Sequence, residues 1–175
     1  MMFVFPCEEY EDKAKNFIEE FYQYNSDING TGALDRYLSE DNYQEWLKKV
    51  LKDIDLANIQ KGRVPAYTYF YVREEDQKII GMINIRLELN EFQLKEGGQI
   101  GYCIRPTERR KGYGTQMLRE ALQFLKRIGI NKVLITCDAT NYGSAKIAMN
   151  CGGILENEFY SETFKVMAQR YWIEI

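Results

Sequence analysis

The stretch from Gln99 to Asp138 constrains this chain more than any other. "QIGYCIRP" (Gln99–Pro106) is short, rich in β-formers and closed by proline, so it reads as a strand. After "TERRKGYG", Tyr113, Met117, Leu118, Ala121, Leu122, Leu125 and Ile128 form one apolar stripe at helical spacing. "KVLITCD" (Lys132–Asp138) then reads as a buried strand. A strand–helix–strand unit of this kind requires a right-handed crossover between parallel strands.

The flanking segments read differently. "MFVFP" is a short strand. From Glu8 to Tyr24 apolar residues recur at Tyr10, Ala14, Phe17, Ile18 and Phe21, a helical spacing. "NSDINGTG" breaks the chain with loop formers. A second helix carries Tyr43, Trp46, Leu47, Val50, Leu51 and Ile54 on one face, with Asp41 and Gln44 resembling a capping box. "AYTYFYV" (Ala66–Val72) and "IIGMINIRLELN" (Ile79–Asn90) predict an antiparallel hairpin. In its second strand Ile83, Ile85, Leu87 and Leu89 share one face, and Asn84, Arg86 and Glu88 the other. After Asp138, Asn141–Asn150 predicts a short helix with Asn141 as N-cap, stopped by "CGG". "ILENEFY" and "TFKVMAQRYWIEI" predict a closing hairpin. The order is β-αα-βββ-α-β-α-ββ, read as one domain over residues 1–175.

Composition removes several chemistries. The chain has no histidine, which excludes Ser-His-Asp and Cys-His catalysis and most zinc hydrolases. Cys7, Cys103, Cys137 and Cys151 share no metal-ligand spacing, so no metal site is expected, and they read as packing residues. A net charge of −3 argues against non-specific nucleic-acid binding, leaving room only for a local basic patch, and no nucleic-acid partner is expected. The apolar runs are too short for a membrane span, and the N-terminal run does not read as a signal peptide. The expected location is the cytoplasm.

The segment "RRKGYG" poses the functional question. Helix N-termini leave unpaired N–H groups with partial positive charge, and glycine lets an anion approach the backbone closely. Arg110 and Lys111 add mobile charge there. The spacing is neither the P-loop GxxxxGK[S/T] nor the dinucleotide GxGxxG. Two readings stand: a phosphate or diphosphate site, or a solvated basic helix start with glycines for packing.

"RRKGYG" matches the R/Q-x-x-G-x-G/A signature of the GNAT superfamily of N-acetyltransferases, with Arg109, Gly112 and Gly114 in the signature places. "IGYCIRP" before it and "VLITCDATNYGSAKIAMNCGG" after it resemble that family's fourth strand, fifth strand and following helix. The resemblance is strongest from Gly97 to Gly153. "GGQIGYCIRP", "NIRLELN" and "NCGGILEN" also resemble a subgroup of uncharacterised acetyltransferases that usually reads GGHIGY, with histidine where Gln99 stands.

The resemblance implies an α/β (α+β) fold. Its sheet is mixed and mostly antiparallel, with about seven strands, a parallel central pair splayed around the cofactor, and helices on both faces. It implies acetyl-CoA as cosubstrate, with no metal. The diphosphate would lie on the backbone of Arg110, Lys111, Gly112, Tyr113, Gly114 and Thr115, with Arg109 in the signature. The pantetheine arm would run beside Tyr102, Cys103 and Ile104 like an added strand. Asn141 matches an asparagine that contacts this arm, alongside its N-cap role. Ser144 and Lys146, on the same helix, are further candidates.

The implied reaction is direct attack of an amine on the thioester. The family's tyrosine acid falls at Ala148, so the usual acid is missing. Glu88 is a candidate base, against a solvated strand glutamate. Gln99 cannot take a proton at neutral pH but can orient a water or a substrate. Arg86 is a candidate clamp for an acceptor carboxylate or phosphate, against a salt bridge with Glu88. The acceptor is a primary amine of a small molecule or peptide. Other readings are a non-catalytic acetyl-CoA or CoA sensor and a transferase of another acyl group. A homodimer fits the resemblance.

Overall fold

A computed structural model describes residues 1–57 and 59–175. The strands are β1 (Met2–Val4), β2 (Ala66–Arg73), β3 (Lys78–Arg86), β4 (Ile100–Ile104), β5 (Lys132–Asp138), β6 (Ile154–Ser161) and β7 (Val166–Glu174). The helices are α1 (Glu11–Gln23), α2 (Leu34–Ser39), α3 (Tyr43–Asp53), α4 (Tyr113–Arg127) and α5 (Tyr142–Asn150). The fold is mixed α/β, as expected, and all seven strands are present. They form a four-stranded sheet in the order β1-β2-β3-β4 and a three-stranded sheet in the order β5-β7-β6, both antiparallel. The expected single sheet is therefore two, and β4 and β5 belong to different ones.

The described chain divides into two compact units. The first is Met1–Arg86 with Gly101–Tyr113, the second Leu87–Ile100 with Gly114–Ile175. In the first, α1 buries Ala14, Phe17, Ile18 and Phe21, the i, i+3, i+4, i+7 face that the sequence spacing marks. These join Tyr43, Trp46, Leu47 and Val50 of α3 and Phe70, Val72, Ile79, Met82 and Cys103 of the sheet in one apolar core. Its large polar-tipped side chains are satisfied: the Trp46 indole N–H donates to the Gly32 carbonyl at 3.1 Å, and the Tyr43 hydroxyl to that of Cys7 at 2.9 Å. Burial pushes the Tyr43 hydroxyl pKa up.

Three sequence expectations change here. The short helix α2 lies in a stretch where no helix was expected. Asn42, not Asp41, is the N-cap of α3, and Asp41 has a left-handed φ of 50°, so the capping box does not form. Strand β3 ends at Arg86, four residues before the expected Asn90. In "YTYFY", Thr68 and Phe70 are fully buried, and Tyr67 stacks on Tyr69 at 5.9 Å beside Phe3 and Phe5. Those rings pack the sheet.

In the second unit α4 buries Met117, Leu118, Ala121, Leu122 and Leu125. Tyr113 is half-buried and Ile128 exposed, so the expected stripe is trimmed at both ends. Val133, Leu134 and Ile135 of β5 are fully buried. Helix α5 buries Ala145 and Ala148. Strand β6 is exposed from Ile154 to Glu158 and at Tyr160, with Phe159 half-buried and Ser161 buried. A π-helical turn, Gln93–Gly97, leads into Gln99, and the sequence showed no sign of it.

Candidate functional site

The turn between β4 and α4 is held from beneath. Arg105, 2% exposed, donates through Nε to the Ile79 carbonyl at 2.8 Å and through Nη1 to Asn16 and Glu20 at 3.1 and 2.7 Å. Glu20 in turn accepts from the Thr107 N–H at 2.9 Å and its hydroxyl at 2.8 Å. Burial pulls the Glu20 carboxyl pKa up, but these hydrogen bonds and the Arg105 charge outweigh it and hold the carboxyl below its ordinary value. This α1–turn clamp escaped the sequence reading. A charged residue just before the proline of "CIRP" was the only sign of it.

Arg109 is a second tie. Its Nε donates to the Ile104 carbonyl at 3.0 Å, its Nη2 to the Ser26 hydroxyl at 2.7 Å, and its guanidinium lies 5.5 Å from the Phe21 ring centre. The signature arginine therefore braces the turn with its side chain.

The chain then enters two left-handed positions, Arg110 at φ 64° and Gly112 at φ 85°. A Cβ built on Gly112 meets nothing within 4 Å, so the space over this glycine is open. Among the described residues, no backbone carbonyl accepts from the N–H of Arg110, Lys111 or Gly112. The first turn of α4, from Tyr113, leaves its own N–H groups without helical partners. The result is a run of main-chain donors with glycine access and an exposed Arg110. An anion with several acceptor oxygens fits such a run.

Lys111 is less mobile than expected. It donates to the buried Glu108 at 2.9 Å, and Arg73 and Lys78 lie 3.4 and 3.6 Å from the same carboxylate. Burial pulls the Glu108 pKa up, but the Lys111 hydrogen bond and the three cationic charges hold it below its ordinary value. The turn thus rests on a carboxylate outnumbered by cations, a favourable ground for a negative ligand.

Of the pantetheine candidates, Cys103 and Ile104 are buried and Tyr102 half-buried. Burial pushes the Cys103 thiol up to about 12, outweighing the opposing main-chain hydrogen bonds from Asn29 and Met82. This cysteine is a packing residue. Asn29 belongs to the "NSDINGTG" loop. The next residue, Gly30, lies against the backbone of β4: a Cβ on it would sit 2.3 Å from the Gly101 carbonyl carbon and the Tyr102 nitrogen. Arg86 ends β3, and burial lowers its affinity for its proton.

On α5 the expected cap is present: Asn141 Oδ1 accepts from the Ser144 N–H at 3.0 Å. The Ser144 side chain is hydrogen-bonded with Cys137. Ala148, in the tyrosine place, is fully buried. Glu88 is not on the strand face where it was expected, because β3 has ended. It is exposed in a bend. Gln99 is 3% exposed, and its Oε1 has no hydrogen-bond partner among the described residues. No cluster of three metal-ligating side chains occurs among the described residues.

Comparison with known proteins sets these features in context. No curated protein sequence matches the chain. Among solved structures, it is similar to the microcin C7 self-immunity acetyltransferase MccE in complex with acetyl-CoA and AMP, with a TM-score of 0.73 and 18% identity over 99% of this chain and 91% of that one. It is similar also to RimL, a ribosomal L7/L12 α-N-protein acetyltransferase in complex with coenzyme A, with a TM-score of 0.70 and 18% identity over 99% and 93%. A spermidine N-acetyltransferase SpeG chimera of Vibrio cholerae and hSSAT gives 0.64 and 15% over 99% and 94%. The Acetyltransferase (GNAT) domain family matches residues 12–154. With its seven strands and its glycine turn between β4 and α4, the chain belongs to the GNAT acetyltransferase family.

Proposed function

We propose that this protein transfers the acetyl group of acetyl-CoA to a primary amine of a small molecule or peptide, working as one domain. The observation that carries the reading is the Arg110–Thr115 stretch: main-chain N–H groups at Arg110, Lys111 and Gly112 that find no backbone carbonyl among the described residues, two left-handed residues, and a glycine over open space. These main-chain donors fit the coenzyme's diphosphate, with the Arg110 side chain adding charge. Bound acetyl-CoA supplies an activated acyl carbon: the amine nitrogen bonds to it as the C–S bond breaks, the sulfur keeps that electron pair, and the nitrogen loses one proton to solvent. Two of the neighbours named above are an α-N-protein and a spermidine N-acetyltransferase, and two are in complex with acetyl-CoA or coenzyme A, which supports this choice. The four free cysteines suit a reducing cytoplasm.

The chain's own contribution is positioning. The Arg105–Glu20 and Arg109–Ser26 ties hold the turn rigid before any ligand arrives, which lowers the ordering cost of binding. Ala148 has no proton to give, so the thiolate leaves without an acid at that place on α5. That observation favours a second reading, a coenzyme A sensor without turnover.

One experiment separates them. Acetyl-CoA is expected to raise the Tm of the wild type, and Arg110→Glu to abolish the rise. Thiol release is then followed across polyamines, amino acids and peptides. Release with any class supports the transferase. Binding without release supports the sensor, and no Tm shift with the wild type rejects both.

A further inference from the structure

We infer that a groove between α1 and the β2–β3 turn is a second ligand site, built for a small dicarboxylate with the Arg105 guanidinium as its floor. All of its lining residues belong to one compact unit, and none of them to the Arg110–Thr115 stretch. The site therefore stands independently of acetyl transfer.

The groove holds about 370 Å³ of open space. A water takes about 30 Å³ in the liquid, so a short diacid fits with several waters to spare. The walls are fixed before anything binds. On the hairpin side, Arg73 donates to the two oxygens of Asp76 at 2.9 and 2.7 Å. Gln77, at a left-handed φ of 54°, donates to the Glu74 carbonyl at 2.9 Å and accepts from the Tyr10 hydroxyl at 3.1 Å. Tyr10 is the N-cap of α1, so that last bond ties one wall to the other.

The floor separates this groove from ordinary surface relief. The Arg105 side chain is only 3% exposed. Its Nε is used by the Ile79 carbonyl, and its Nη1 by Asn16 and Glu20. Its Nη2 makes no hydrogen bond to any described residue, and it is not sealed from solvent either. That nitrogen faces the groove, which Arg105 lines. Asn16 gives its Oδ1 to Arg105, which leaves its amide N–H groups as further donors beside the floor.

Charge selects the ligand. Lys13 is exposed on α1, its ammonium 4.8 Å from the Tyr10 ring centre, with no carboxylate partner among the described residues. Lys78 lies 3.6 Å from Glu108, too far for a hydrogen bond. Of the two carboxylates in the lining, Asp76 is taken up by Arg73, and Asp12 is exposed. Glu20 offsets Arg105, while Glu108 is shared by Arg73, Lys78 and Lys111. The groove thus keeps a positive surplus in a chain whose net charge is −3. Its cations stand at two depths, Arg105 sealed and the lysines nearer solvent. One carboxylate meets Arg105 Nη2 and the Asn16 amide on the floor; the other meets Lys13 and Lys78 above it. A single compact anion reaches only one of these levels.

The test uses the full chain without coenzyme, at constant ionic strength. Glutarate, butyrate and inorganic phosphate are titrated in by calorimetry. In parallel, ¹⁵N-labelled arginine side chains report the Arg105 Nε–H resonance, assigned by Arg105→Lys or, should that variant not fold, by elimination through the other arginines. Glutarate is expected to saturate by about 10 mM, to bind about tenfold more tightly than butyrate or phosphate, and to move the Arg105 resonance. Lys13→Gln, at an exposed position, should weaken glutarate about fivefold while the Tm of the free protein stays put. No saturation, equal binding of butyrate or phosphate, an unmoved Arg105 resonance, or full glutarate affinity in Lys13→Gln overturns the site. Acetyl-CoA binding and thiol release are read separately, so a failed transferase reading leaves these outcomes intact.

Discussion

Gly30 and Gly112 share a left-handed backbone, at φ 68° and 85°, yet they sit in opposite surroundings. Gly30 is walled in: a Cβ would fall 2.3 Å from β4 main-chain atoms. Gly112 is open, with nothing within 4 Å of that position. The first glycine is required by the protein's own packing. The second is favoured by its left-handed φ alone, since nothing in the fold presses on it. Gly129 and Gly152, which follow helix ends, are as open as Gly112, so what sets Gly112 apart is the run of main-chain N–H groups beside it rather than the open space itself.

The comparison breaks most easily at Gly30. Gly30→Ala should cost about 3–5 kcal/mol, from backbone overlap and left-handed strain together, measured as a fall in urea midpoint. A loss under about 1 kcal/mol would mean that the loop is not seated on β4. Gly112→Ala should cost only about 1–2 kcal/mol of stability, the left-handed penalty by itself, while acetyl-CoA affinity falls about tenfold or more by calorimetry. Equal small effects on both would leave Gly112 a turn residue only.

Arg110→Gly sharpens the contrast from the other side. It relieves a left-handed φ of 64° and should stabilise the protein by about 1 kcal/mol, yet weaken acetyl-CoA because a charge is gone. Gains in both would remove Arg110 from the site.

At neutral pH the smallest effect concerns Cys103, which the Gly30 loop helps to cover through Asn29. Burial lifts its folded pKa to about 12, against about 8.5 in an unfolded chain. Above the lower value the unfolded chain holds fewer protons, so stability falls as pH rises from about 8.5 toward 12. Cys103→Ala should flatten that alkaline slope in urea melts. An unchanged slope would show that the thiol is not sealed.

Much of this was legible in advance because it depends on local pattern. Lys132–Asp138 is the strand expected, Asn141 caps α5, and the closing hairpin falls where alternation placed it. The turn at Gly112 was visible because glycine spacing before an amphipathic helix has a backbone meaning. Glu88 was misplaced because alternation continues through "RLELN" after the ladder with β2 has stopped at Arg86. A pattern of side chains cannot show where main-chain pairing ends.

By itself the sequence determined most of the elements, their order and the place of the glycine turn before α4, since each follows from residues near one another in the chain. The tertiary structure alone decided which cation braces and which remains exposed. Arg109 is taken up by Ser26, Lys111 by Glu108, and Arg105 by Glu20. It likewise decided that the Gln99 side-chain oxygen has no hydrogen-bond partner among the described residues. Charge and hydrogen-bond capacity are written in the residue type, but the partner that uses them up comes from distant chain, and only folding brings it within reach.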